Sequence, residues 1–276
     1  KLELEGQCYE GTSQNVCAVI PGTQKPEEVI SFGAHYDSVY FSTGVYDNIS
    51  GSVILMELLR HFAANPPART LKFNWYGSEE QGLLGSKAWT KAHEEELAGH
   101  RLMINVDVAA ATLGRNISLV LGTNETVGYV DALMREMGVA CDVKLDIYSS
   151  DCIPFADHGV PAVNLCRFGA PGANYIHDRR DNLKSNYISA EALDITLQQA
   201  LMLAKRVDGF RYDAAKYVYY GDHKSSVAYW EEYLNTLRAY QADGQHLMVE
   251  AEGMAYEIWY VPAADGEVTL AVYKNG

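Results

Sequence analysis

Five short stretches of this chain carry residue types that bind metal. They are Ala34-His35-Tyr36-Asp37-Ser38, Tyr46-Asp47-Asn48-Ile49-Ser50-Gly51, Gly77-Ser78-Glu79-Glu80-Gln81-Gly82, Ile104-Asn105-Val106-Asp107 and Tyr175-Ile176-His177-Asp178. In this order they supply two histidines and three carboxylates as ligands, with one glutamate to spare. That inventory suits two zinc ions sharing a carboxylate, with a general base over the water between them. The chemistry it points to is metal-assisted hydrolysis.

Each piece also has an ordinary reading. A lone His35 is commonly a structural or surface group, but His-x-Asp lets Asp37 accept the ring proton and fix the tautomer. Asp47 stands in a helix N-cap region; its place between two other ligand-bearing stretches favours the metal. Glu79 and Glu80 end an apolar strand, where adjacent charges are costly without a cation. A split of roles suits them, one carboxylate on metal and its neighbour free to take a proton. Asp107 lies within a buried run, and a carboxylate there needs a partner. His61, His93, His100, His158, His223 and His246 are read as non-ligands.

Competing motifs fail. His93-Glu94 lacks the second histidine of HExxH, and there is no GxSxG elbow or P-loop. Asn48-Ile49-Ser50 matches the glycosylation pattern, but a sugar there would block the site, so the match is read as chance. The five cysteines include no CxxC pair and give no disulfide framework. A net charge of −14 over 276 residues argues against nucleic acid and favours a cationic ligand, such as a free amine. No apolar run approaches the roughly 20 residues needed to cross a bilayer.

The elements that must position these residues alternate. Strands are expected at 15–20, 29–34, 70–76, 102–108, 116–121 and 160–165, with helices at 50–62, 82–96, 126–137 and 189–207. Pro21-Gly22 and Pro26 read as a hairpin-like connection between the first two strands. This alternation predicts an α/β fold: a three-layer α/β/α sandwich on a mostly parallel, mixed central sheet. Ligand sites in such sheets lie at the carboxyl ends of the strands. The expected catalytic domain spans 1–212. Residues 213–276 read as an accessory element, with a helix at 224–240 and a meander of strands at 246–251, 255–261 and 267–273 turning at Asp265-Gly266. It is expected to supply no ligand, and self-association through it stays open. The chain starts at Lys1 without Met, so a processed upstream segment is an expectation, and location stays open between cytoplasm and secretion.

The quoted stretches, together with Gly82-Leu83-Leu84-Gly85-Ser86, resemble the M28 family of dinuclear zinc exopeptidases, most of whose bacterial members are aminopeptidases. The similarity runs from about Asn15 to about Leu203. The resemblance implies that Asp47 bridges two zinc ions, His35 and Asp107 complete one, and Glu80 and His177 complete the other. It makes Glu79 the general base and Tyr175 a candidate donor to the oxyanion, although Ile176 separates Tyr175 from His177. Residues 149–151 and 155–162 resemble a segment lining the site. The implied substrate is a peptide, cut at its amino-terminal bond. Rivals are a carboxypeptidase or dipeptidase using Arg167, Arg179 or Arg180, and a single-zinc glutaminyl cyclase. A non-catalytic binding module is disfavoured because all five ligands are present.

Overall fold

The first unit runs β1 (Val16–Ile20), β2 (Lys25–His35), α1 (Ser50–Ala64), β3 (Arg69–Tyr76), α2 (Leu84–Ala92), β4 (His100–Val106), β5 (Gly114–Leu121), α3 (Asn124–Glu136), β6 (Cys141–Leu145), α4 (Ile153–Asp157), β7 (Ala162–Gly169) and α5 (Ala190–Lys205). The structure is a computed structural model and describes residue 3, residues 10–169 and 174–205, and the strand segments 211–212, 248–251, 256–262 and 268–274. It divides into two units, Lys1–Lys205 and Arg206–Gly276.

The sheet order is β1-β3-β2-β4-β7-β5-β6. Strands β3, β2, β4 and β7 are mutually parallel, β1 runs antiparallel to β3, and the β5–β6 pair reverses against β7. The sheet is therefore mixed with a parallel centre, as expected. Strand β2 shows how both faces are covered, because successive side chains point to opposite sides. Phe32 stacks on Phe73 at 4.9 Å and meets Phe62 of α1. Gly33 faces the other way, where a Cβ would lie 2.4 Å from Met103 Cε. That second face packs Tyr76 and Met103 against Trp89 of α2 and Phe155 of α4. Helices thus cover both faces.

Three expectations need correction. The loop after β1 is not a hairpin, because β3 lies between β1 and β2. It wraps the start of β3 instead: Thr23 and Gln24 donate to the carbonyls of Pro67 and Ala68. The close approach requires Gly22, whose Cβ would sit 2.6 Å from the Arg69 carbonyl carbon. The helix expected at 82–96 is only Leu84–Ala92, followed by a 3₁₀ segment at Glu94–Gly99 that takes up the acidic run. Strand β4 stops at Val106, because Val108 has φ 51°, a left-handed value that breaks an extended run. Strand β6 and helix α4 were not foreseen.

In the second unit β8 (Arg211–Tyr212), β9 (Met248–Ala251), β10 (Tyr256–Pro262) and β11 (Val268–Lys274) form a sheet in the order β11-β10-β9-β8. The β9–β10 and β10–β11 pairs are antiparallel, and β8 joins β9 in parallel. The helix expected at 224–240 and the Asp265-Gly266 turn lie outside the described residues.

Candidate metal centre

All five expected ligands converge beyond the carboxyl ends of the parallel strands. His35 ends β2, Asp107 follows β4, and Glu79 and Glu80 follow β3. Asp47 comes from the irregular turn Val45–Ile49 before α1, and His177 from the loop after β7. Ligand atoms of His35, Asp47 and Asp107 lie within 4.8 Å of one another, and so do those of Asp47, Glu80 and His177. Asp47 belongs to both groups. Its Oδ1 is 3.2 Å from His35 Nε2, and its Oδ2 is 3.4 Å from His177 Nε2. His35 Nε2 also lies 3.3 Å from Asp107 Oδ1, and His177 Nε2 lies 2.8 Å from Glu80 Oε2.

Two observations say that this donor set fits cations. Asp107 Oδ1 and Glu80 Oε1 are buried with no hydrogen-bond partner, which is costly for a carboxylate. The oxygens crowd together as well, so burial and the Asp47 carboxylate raise the Glu80 pKa against the opposing pull of His177 and His35. Nitrogen and carboxylate donors at these positions are a zinc-type set. The two groups differ in access: the His35 side chain is 1% exposed and that of His177 is 54% exposed.

Glu79 sits behind the ligands, 3.9 Å from His35 Nε2. Burial pushes its pKa up to about 9; His35 opposes the rise, and Asp107, Asp151 and Glu80 add to it. His35 itself is buried, which disfavours its charged form. The neighbouring Asp107 carboxylate and contacts with Asp37 and Asp47 overcome that penalty and hold its pKa well above the ordinary value.

The role expected of Asp37 is divided. His35 Nδ1 faces the main-chain carbonyl of Asp37 at 3.1 Å, with the carboxylate farther off at 3.6 Å. A carbonyl only accepts, so Nδ1 carries the proton and Nε2 faces the ligand group. The carboxylate instead accepts the backbone N–H groups of Glu79 and Glu80, at 3.0 and 3.2 Å.

The stretch Asn48-Ile49-Ser50-Gly51 clamps the end of β4. Asn48 Nδ2 donates to the Val106 carbonyl at 2.8 Å, and its Oδ1 accepts from Gly51 and Val108. Ser50 Oγ accepts from the Ala109 N–H. Asn48 is fully buried, so it offers no surface for a sugar. The Asp47–Asn48 peptide bond is cis. Ser78, Val108 and His177 all have left-handed φ values, and each is an expected ligand or lies within a residue or two of one. Sparsely populated backbone of this kind clusters at functional sites.

Asn164, Asp181 and Tyr148 had not been singled out, whereas Ser150 lies in the stretch 149–151 that the resemblance set along the site. Ser150 donates to Asp107 Oδ2 at 2.7 Å and accepts from Asn105 Nδ2 at 2.8 Å. Asn105 also donates to Asn164 Oδ1. Asp181, 1% exposed, accepts the backbone N–H groups of Tyr46 and Asp47. Tyr148 and Ile176 pack with Tyr46 and Val108, beside two of the ligands. Tyr175 is stacked on Tyr187 at 4.2 Å, with the Arg180 guanidinium 4.4 Å from its ring centre. His93, His100 and His158 each turn Nδ1 to the carbonyl four residues earlier and stand apart from the site. His61 joins no ligand group, and His223 and His246 lie outside the described residues.

Residues 15–204 match the model of peptidase family M28, and the chain belongs to that family. It is 28% identical over 203 residues to aminopeptidase YwaD of Bacillus subtilis, covering 66% of this chain and 42% of that protein. It is 36% identical over 156 residues to a probable leucine aminopeptidase of Trichophyton verrucosum, covering 52% and 39%. Among solved structures, BSAP, a zinc aminopeptidase from Bacillus subtilis, aligns with TM-score 0.61 and 25% identity over 68% of this chain and 49% of that one. A glutaminyl cyclase from an Acidobacteriales bacterium aligns with TM-score 0.62 at 19% identity, over 69% and 72%, and shares the fold. The chain spans roughly two fifths of the length of the two curated relatives named here.

Proposed function

We propose that this chain is a dinuclear zinc aminopeptidase that hydrolyses the amino-terminal bond of peptides. One observation carries the reading: the two Asp47 oxygens face two different histidines, each with its own second carboxylate. His35 and Asp107 would hold one ion, Glu80 and His177 the other, and Asp47 both. Bound there, the ions supply Lewis acidity, lowering the pKa of a water and polarising the scissile carbonyl. Glu79, held beside them but outside both groups, takes the proton from the attacking water and returns it to the leaving amine. Asp37 holds the backbone of that glutamate in place. Tyr175 offers its hydroxyl to the developing oxyanion.

The relatives named aminopeptidases support this reading over the carboxypeptidase rival, and so does the state of two of the three arginines. Arg167 is already spent on the Ala111 carbonyl and Asn116, at 2.8 and 2.7 Å. Arg180 pairs with Asp178 through both of its oxygens. The cyclase rival has the shared fold in its favour, and metal count separates the two. The test combines elemental analysis with hydrolysis of free, N-acetylated and C-amidated peptides. The expected result is two zinc ions per chain, cleavage of free and amidated peptides, and none of the acetylated one. A single ion with cyclisation of amino-terminal glutamine would replace the reading by the cyclase. Cleavage that requires a free carboxylate would replace it by the carboxypeptidase.

A further inference from the structure

Asp181 lies four residues after His177, on a turn closed by its own N–H to the Asp178 carbonyl at 2.9 Å. Both of its carboxylate oxygens are taken by successive amides of the Asp47 loop, Oδ1 by Tyr46 N–H at 2.7 Å and Oδ2 by Asp47 N–H at 3.0 Å. Its main-chain carbonyl accepts three more bonds from the same loop: Thr43 N–H at 3.2 Å, Ser42 Oγ at 3.2 Å and Thr43 Oγ1 at 3.0 Å. One buried residue therefore ties the segment that carries Asp47 to the segment that carries His177. Hydrogen bonds from N–H groups to a carboxylate are short and directional, so this tie fixes orientation as well as separation. On the other side of the site His35 ends β2 and Asp107 follows β4, two strands paired in the sheet, and Ser150 rather than Asp181 holds the Asp107 carboxylate.

We propose that Asp181 is a positioning residue for the outer metal, setting the gap between Asp47 and His177 that the ion fills. The proposal rests on the two-metal reading above. It separates the two ions: loosening Asp181 releases His177 and the outer ion, while His35, Asp107 and the inner ion stay in place.

The test is zinc alone, titrated into the full chain against a competing chromophoric chelator. Wild type, Asp181→Asn and His177→Ala are compared, with a thermal melt of each. Asparagine keeps the shape but turns one acceptor into a donor facing an N–H. The expected result is loss of the second ion's affinity by about 10–100-fold, the usual cost of losing a group that orients a ligand. The first ion's affinity is expected to stay within about threefold, well below that range. In the His177→Ala background the same change should cost the outer position nothing further. Should Asp181→Asn fail to fold, Thr43→Val removes one donor to the carbonyl and leaves the carboxylate paired; a smaller loss at the second ion is then expected. Equal weakening of both ions, or an unchanged second ion in a folded variant, overturns the proposal. A wild type that holds one ion overturns the two-metal reading and this proposal together, whereas two ions in wild type with no selective loss defeat the proposal alone.

Discussion

The Asp37 carboxylate accepts the backbone N–H of Glu79 at 3.0 Å, across a separation of 42 residues in sequence. This bond joins the end of β2 to the turn after β3. It holds the glutamate pair by its main chain, leaving both glutamate side chains free to face the candidate site. Desolvation opposes charge on Asp37, but its contacts with His35 and with the amides of Glu79 and Glu80 hold its pKa below the ordinary value, so it stays an acceptor.

Glu79→Gln should keep both metals and lose nearly all turnover. Glutamine preserves shape and cannot take a proton, and removal of a general base costs on the order of 10²–10⁴-fold in rate. Zinc content and kcat, measured on the same preparation, check this. Wild-type kcat in the variant would reverse the roles assigned within the glutamate pair.

The metal-free protein should lose stability as pH rises from about 5 to 9. Glu79 rises from 4.5 to about 9 and Asp151 from 3.8 to about 7 on folding, in both cases chiefly through burial. Groups whose folded pKa exceeds the unfolded value contribute stability that is complete below the unfolded value. That stability fades as pH climbs through the folded one. His35, also raised, acts in the same direction. Cations in the site reverse these preferences, so the loaded protein should be flatter over the same range. Thermal melts with and without chelator provide the comparison, and a metal-free protein that gains stability over this interval would contradict it.

Zinc binding near neutral pH should release protons, because His35 and Glu79 hold theirs in the metal-free protein. Calorimetric titrations in two buffers of different ionisation enthalpy should therefore give different apparent heats. Identical heats would mean that these groups are already deprotonated before metal arrives.

Ser150→Ala removes the donor to Asp107 and one acceptor for Asn105. Leaving buried polar groups unpaired should cost about 1–3 kcal/mol of stability. Zinc affinity should fall roughly 10–100-fold as Asp107 loses its orientation. Denaturant melts and competition titrations measure the two effects. If both are unchanged, the bond from the Asp107 N–H to the Leu165 carbonyl alone is enough to set the ligand.

Much of the candidate site was legible because the expected ligands contradict their surroundings. Asp107 and the Glu79–Glu80 pair follow strands that are otherwise apolar, and a charge there needs an explanation. Asp181 gave no such signal: it follows Asp178, Arg179 and Arg180 in a polar loop and reads as one more surface acid. Ser150 stood out only through the resemblance of residues 149–151, and its contact with Asp107, 43 residues away, left no mark in the sequence. Among the elements, β6 is a half-exposed edge strand whose pattern never becomes apolar enough to stand out. Helix α4 has five residues, too few for a helical period to register. The supposed hairpin after β1 failed because neighbours in sequence need not be neighbours in a sheet, and β3 is inserted between them.

A Cβ on Gly51 would lie 2.2 Å from the Val106 carbonyl oxygen, so the first turn of α1, just after the Asp47 loop, lies directly against the end of β4. Position 51 therefore has no room for a larger side chain without moving that backbone. A protein engineer wishing to change what this chain accepts would gain little by adjusting it. The rim offers freedom: Tyr40 is wholly exposed and Phe41 half so, on the stretch that leads from His35 to Asp47. Retargeting by sequence libraries belongs there, where substitutions leave the candidate ligands themselves untouched.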